Sequence, residues 1–252
     1  MGPAKLLFSC FRPHFILVLA SSLSLAAALN PACAPGGNFD LSKFTLQLPS
    51  GSPGKPDTVT GAKLSGCSGF QNKDFFFTGP DGSLQMKVPG DTSTGCVTTP
   101  NSKHCRTELR EQDPVSWDPN GATNVLSANL TVVSAGGSTC IGQIHIDDTV
   151  SHKPVAELFI NDGGKLTVGM EQTRAGGNEK SFDIGSVALG QPFSYEIHYE
   201  KNVFSVVLNG AKPVVVTTFS LNAPKSYFKV GNYLQASKPS VVNFFSIDIQ
   251  HA

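Results

Sequence analysis

The sequence predicts an all-β protein, a sandwich of two curved antiparallel sheets of jelly-roll type. Three observations carry that prediction. No heptad and no sustained 3.6-residue apolar stripe occurs beyond the first segment. Strand-length runs recur between clusters of Gly, Pro, Asn and Asp, with turn signals such as Asn161-Asp162-Gly163-Gly164 and Asn209-Gly210. Three short segments, Arg106 to Arg110, Gln143 to His145 and Tyr227 to Gln235, alternate functional side chains with apolar or small ones, which is the period of a strand.

Residues 1–28 stand apart from that fold. Lys5 and Arg12 precede an uncharged apolar run from Phe15 to Ala28 that ends in Ala26-Ala27-Ala28, the pattern of a secretory signal peptide rather than a membrane span. Residues 29–252 are then expected to form a single domain, soluble and extracellular. The first segment carries two basic and no acidic residues, so the remaining 224 residues have a formal charge of −2. Such a balance gives no bulk attraction to nucleic acid or an anionic membrane, so affinity for a polyanion must come from a local cluster. Arg106, Arg110 and Lys229 are the candidates.

The expected strands, in order, are Phe44 to Leu48, Leu84 to Val88, Val125 to Val133, Gly142 to Ile146, Val155 to Ile160, Lys165 to Met170, Phe193 to Tyr199, Val203 to Leu208, Val214 to Phe219, Tyr227 to Tyr233 and Val241 to Ile249. In the Tyr195 to Glu200 stretch, Tyr195, Ile197 and Tyr199 share one face and Glu196, His198 and Glu200 the other, a half-solvated strand. His198 is therefore an ordinary surface residue, and His104, His152 and His251 receive the same reading from loop-like or terminal surroundings. Five cysteines follow the signal segment, enough for two bridges and one thiol. Cys96 with Cys105 and Cys33 with Cys67 are the preferred pairs, leaving Cys140 buried and free, although the sequence leaves other pairings open. Asn129-Leu130-Thr131 is a glycosylation sequon.

The three alternating segments carry the chemistry. In the first, Arg106, Glu108 and Arg110 fall on one face; in the second, Gln143 and His145 oppose Ile144 and Ile146; in the third, Tyr227, Lys229, Tyr233 and Gln235 oppose Phe228 and Val230. A solvated strand face with mutually neutralising charges would account for any one of them. Side by side, however, they would gather guanidiniums, an amide, an imidazole, an ammonium and phenols on one surface suited to an acidic sugar polymer. Tyr233 would need Lys229 and the arginines to lower its pKa from the usual ~10 before it could serve as a base. No zinc-type Cys/His spacing and no Asp-rich calcium loop is visible, so no metal is expected.

Arg-Thr-Glu-Leu-Arg at 106–110, Gln-Ile-His at 143–145 and Tyr-Phe-Lys-Val-Gly-Asn-Tyr-Leu-Gln at 227–235 resemble, in order and spacing, the signature strands of polysaccharide lyase family 7, the alginate lyases. Phe39 to Pro49 resembles that family's N-terminal strand. Val230, where the family commonly has a small residue, and Glu111-Gln112-Asp113 depart from the pattern.

The resemblance implies a concanavalin-like jelly roll, no cofactor, and a secreted, monomeric enzyme of fungal type. It also implies β-elimination on alginate, endolytic on guluronate-containing or mixed blocks. By the same resemblance Arg106 and Gln143 neutralise the substrate carboxylate, His145 is the base on guluronate, and Tyr233 is the acid, and also the base on mannuronate. Arg110, Lys229 and Gln235 hold neighbouring sugars or tune Tyr233, and Glu108 orients the arginines. Isoleucine between the glutamine and histidine goes with guluronate activity, but Ile144 points away from the cleft. The glycine-rich stretches at 135–138 and 174–178 are expected over the cleft. A lyase on mannuronan or glucuronan, a non-catalytic polysaccharide-binding module and a glycoside hydrolase are the competing readings. The hydrolase fits least well, because Glu108 is the only acid in the three motifs.

Overall fold

The computed structural model describes residues 1–2 and 28–252. The expected signal segment lies almost wholly outside the described residues. The strands are β1 (Phe44–Ser52), β2 (Lys55–Thr60), β3 (Phe76–Thr78), β4 (Leu84–Val88), β5 (Arg106–Glu111), β6 (Asn124–Ser134), β7 (Ser138–Ile146), β8 (Pro154–Asn161), β9 (Lys165–Met170), β10 (Lys180–Ser186), β11 (Phe193–Glu200), β12 (Val203–Leu208), β13 (Val214–Val216), β14 (Ser226–Leu234) and β15 (Ser240–His251). One sheet has the order β10-β9-β8-β7-β14-β5-β1-β2 and the other β13-β12-β11-β6-β15-β4-β3, with every pairing antiparallel. This is the jelly-roll sandwich that the alternation predicts.

Each expected run is found as a strand, though the one from Val214 ends at Val216. Three strands were not anticipated: β2, β3 and β10, and each lies at an edge of its sheet. β2 and β10 are exposed along most of their length, so neither carries the one-sided apolar alternation that marks a strand in sequence.

The core fills the space between the sheets. On β1, Phe44, Leu46 and Leu48 are buried, while Thr45 and Gln47 turn to the other side of the large sheet. Tyr195 spans the layers, its hydroxyl donating to the carbonyl of Ile141 at 2.7 Å. Glycine at 142 makes room for it, since a Cβ there would lie 2.6 Å from the Tyr195 oxygen. Ile144 is fully buried, facing away from the polar surface as expected.

The central strand β14 is fixed in register by two consecutive residues. Gly231 has φ 157° and lies so close to β5 that a Cβ would sit 2.5 Å from the Thr107 carbonyl oxygen. Asn232, wholly buried, accepts from Thr139 Oγ1 (2.8 Å) and Ser240 Oγ (2.7 Å) and donates to the Met86 carbonyl (3.0 Å). It therefore ties β14 to β7, β15 and β4, with both lone pairs of its oxygen and one amide hydrogen used within the core.

Two disulfides join Cys33 to Cys67 and Cys96 to Cys105, and Cys140 is a buried free thiol, the preferred assignment in full. At the far end of β5, Glu111 is buried and accepts from the Trp117 indole (2.9 Å), the Phe228 amide (2.8 Å) and His251 Nε2 (2.6 Å). His251 is accordingly a structural clasp on β15 rather than a bland terminal residue.

Candidate active site

In the large sheet β7, β14 and β5 are consecutive, so the three signature segments lie side by side. Register turns their alternation into rows. Glu157 on β8 pairs with Gln143, Gln143 with Lys229, Lys229 with Arg110 and Arg110 with Thr45, one row across five strands. Along β14, Tyr227 pairs with His145 at one end, Gly231 with Glu108 nearer the middle, and Tyr233 with Arg106 at the other end. These side chains line a cavity of about 540 Å³ that includes seven of the eight residues singled out in the sequence: Arg106, Glu108, Arg110, Gln143, His145, Lys229 and Tyr233. Gln235 lies beyond the end of β14, outside that lining, with its amide donating to the Tyr233 carbonyl at 3.2 Å.

Glu108 is the hub. Its Oε2 accepts from Arg106 Nη1 at 3.0 Å and from Lys229 Nζ at 2.7 Å, and its Oε1 accepts from Gln143 Nε2 at 2.5 Å. Burial alone would raise this carboxyl, but the Lys229 ammonium and Arg106 guanidinium hold it at about 2, so it stays ionised. One expectation needs correcting here: Glu108 orients Arg106 and Lys229, not both arginines. Arg110 is held instead by Asp148 at 2.8 Å, and its guanidinium stacks 4.1 Å from the centre of the Tyr227 ring.

Arg106 is buried and keeps donor capacity for a ligand. Nη1 goes to Glu108 and Nη2 to Ser102 Oγ at 3.2 Å, while Nε is buried with no partner among the described residues. Its guanidinium lies 3.6 Å from the centroid of the Tyr233 ring. Even so, burial pushes the Tyr233 phenol above its usual pKa, outweighing the pull of Arg106 and of the Ser102 hydroxyl. The neighbouring cations thus soften the shift without reversing it, and the resting side chain is a protonated phenol.

His145 is fixed through Nδ1, which lies 3.0 Å from the Ile146 carbonyl and 2.9 Å from the Tyr227 hydroxyl. That hydroxyl donates to Asp148 at 3.1 Å, so its oxygen faces Nδ1 as an acceptor. A hydrogen on Nδ1 satisfies both contacts and leaves the Nε2 lone pair free. Burial and Lys229 depress this imidazole to about 3, so it is neutral at any ordinary pH.

Other cleft groups gave no signal of their own. Ser102, Asp148 and His152 lie between strands, where no periodicity points to them, and Tyr227 shares the functional face without an evident task. Glu157, half-buried beside Gln143, is raised to about 8 by burial and by the charges of Glu179 and Glu108. Of the two glycine-rich stretches, 174–178 sits beside the cleft: Gly176 lies against Lys153 and Glu171, both cavity-lining. Gly136 and Gly137, in the β6–β7 turn, lie against Leu234, Ala236 and Lys238 instead. His104 is edge-on to Tyr233 at 6.0 Å, so it borders the site rather than an empty surface.

A two-layer β-sandwich whose larger sheet carries a cation-rich polar cleft, with a neutral imidazole and a buried phenol in it, defines a polysaccharide lyase of the jelly-roll class. A family profile described as alginate lyase matches residues 39–251. The chain belongs to the alginate lyase family. The alginate lyase of Klebsiella pneumoniae is 26% identical over 274 residues, spanning 86% of this chain and 87% of that protein. Among solved structures, the family 7 alginate lyase A1-II′ in complex with a product has a TM-score of 0.75 at 28% identity, covering 88% of this chain and 100% of that one. An alginate lyase from Pseudomonas aeruginosa has a TM-score of 0.72 at 26% identity, covering 84% and 100%.

Proposed function

We propose that this lyase cleaves the 4-O-glycosidic bond of alginate by β-elimination, with Arg106, Gln143, His145 and Tyr233 carrying the reaction. The C5 hydrogen of a uronate is weakly acidic while its carboxylate is charged, so the charge must be neutralised before the hydrogen can leave. The free donors of Arg106 and the second amide hydrogen of Gln143 meet that need. The base takes the C5 hydrogen, the C5–H electron pair becomes the C4=C5 double bond, the C4–O4 bond breaks, and the acid protonates O4.

The observation that carries this reading is the placing of His145 and Tyr233 at opposite ends of one donor cluster. On guluronate, whose C5 hydrogen lies on the side opposite O4, His145 Nε2 takes the hydrogen and Tyr233 protonates O4. On mannuronate, where both lie on one side, Tyr233 performs both steps, taking the hydrogen only from the minority in which it is a phenolate, because burial raises its pKa at rest. Lys229 holds Glu108 and, through it, Arg106 and Gln143. A row of polar side chains crossing five strands suits the interior of a polymer, which supports endolytic action on guluronate-containing or mixed blocks. The two disulfides suit an oxidising, extracellular setting.

The test is the ultraviolet absorbance of unsaturated uronate on polymannuronate, polyguluronate, mixed alginate and glucuronan. Tyr233→Phe should abolish turnover and retain binding, and Arg106→Ala should impair both. Near-normal turnover in Tyr233→Phe would remove the proposed acid, and turnover confined to glucuronan would remove the substrate.

A further inference from the structure

Ser102 lies in the loop closed by the Cys96–Cys105 bridge, 131 positions from Tyr233 in sequence, yet its Oγ is 3.1 Å from the Tyr233 hydroxyl. A serine hydroxyl has one hydrogen to give and two lone pairs to fill. Both lone pairs are taken: Arg106 Nη2 donates to Oγ at 3.2 Å and the His104 backbone amide at 3.1 Å. What remains is the serine hydrogen, shared between the Tyr233 oxygen and the His104 carbonyl at 3.2 Å. Towards Tyr233, then, Ser102 acts as donor, and the phenol oxygen as acceptor.

We propose that Ser102 is a positioning residue for Tyr233: by donating to the phenol oxygen it turns the phenol's own hydrogen towards the substrate and stabilises the phenolate left after that hydrogen is given up. The inference rests on the reading of Tyr233 as the acid. When Tyr233 protonates O4, its oxygen gains the charge formerly shared in the O–H bond. The Ser102 O–H then becomes a charge-assisted hydrogen bond, stronger than the neutral one before it. The Arg106 guanidinium over the ring favours the same charge, and because it also donates to Ser102, one cation sets both the donor and the acid it serves. The disulfide holds the loop in place, so the hydroxyl is present before substrate arrives.

The test compares Ser102→Ala and Ser102→Thr in the full chain, each as a pH profile of kcat and KM on polyguluronate and polymannuronate. Loss of a donor to a developing charge is expected to lower kcat about ten-fold in Ser102→Ala, with KM within about two-fold. The phenolate is less stable without it, so the limb of the profile that belongs to Tyr233 should move to higher pH. That is the alkaline limb where Tyr233 is the acid and the acidic limb where it is the base. Ser102→Thr, which keeps the hydroxyl, should restore both kcat and profile. A Ser102→Ala enzyme with unmoved limbs, or a loss of equal size in Ser102→Thr, overturns the proposal. Tyr233→Phe separates the two assignments: if it stays active, the acid is wrong; if it is dead while Ser102→Ala matches the parent, only Ser102 is wrong.

Discussion

Replacing Glu108 with glutamine removes the charge that holds Arg106 and Lys229 while keeping the side chain's shape. The wild-type carboxyl falls from 4.5 to about 2 on folding, and at about 1.36 kcal/mol per unit this corresponds to roughly 3 kcal/mol of stability. Because the folded pKa is the lower one, that contribution is complete above about pH 4.5 and is lost as pH falls towards 2. Leaving two buried cations without their counter-ion costs a similar amount, about 3–5 kcal/mol. For a domain of this size each kcal/mol moves Tm by about 2–4 °C, so Glu108→Gln should melt about 6–12 °C lower at neutral pH. Urea titrations at neutral pH and near pH 3 give the decisive comparison: the wild-type advantage should shrink steeply at the lower pH. A variant within about 1 kcal/mol of wild type at neutral pH, or a gap that does not change with pH, would refute the hub.

Three further outcomes follow from the same geometry. Tyr227→Phe breaks the link from Asp148 to His145 and should lower kcat on polyguluronate about ten-fold while sparing polymannuronate; an unchanged ratio between the two substrates counts against it. Glu157 has a folded pKa of about 8, above its unfolded 4.5, so it draws stability down as pH rises through that window. Glu157→Gln should therefore raise Tm more at about pH 9 than at about pH 5, and an equal gain at both would contradict the shift. Gly231→Ala drives a Cβ into the Thr107 carbonyl and should cost about 1–3 kcal/mol together with activity, since β14 must move away from Arg106. An unchanged urea midpoint would show that the strands yield without strain.

How much of this could be read beforehand depended on where each residue sits. Arg106, Glu108, Gln143, His145, Lys229 and Tyr233 lie on interior strands, where a period of two sorts side chains by face and a spacing in sequence becomes a spacing in space. The exposed edges β2 and β10 lack that one-sided pattern and passed unseen. Ser102 and Asp148 sit in connections, and their contacts with Tyr233 and Tyr227 cross 131 and 79 positions of sequence, a separation at which local patterning says nothing. Asn232 hides in plain sight within the third motif, because a buried amide and a surface one look alike until its three partners come from three other strands. Charge could be counted in advance but not apportioned: only the fold shows that Glu108 takes Lys229 while Asp148 takes Arg110. The sign of the Tyr233 shift depended on burial, which the cations alone did not reveal.

The order of the large sheet also bears on when the enzyme becomes competent. β5, β7 and β14 are neighbours in space, yet β14 begins eighty residues after β7 ends, with six strands of the chain in between. Local hairpins such as β8 with β9 and β11 with β12 can close early, whereas the β14 pairings close only after long loops are drawn in. Until those loops close, His145 and Gln143 lack Tyr233, and Arg106 lacks Lys229. During refolding, catalysis is therefore a late clock, and the return of lyase activity should trail the return of β-structure.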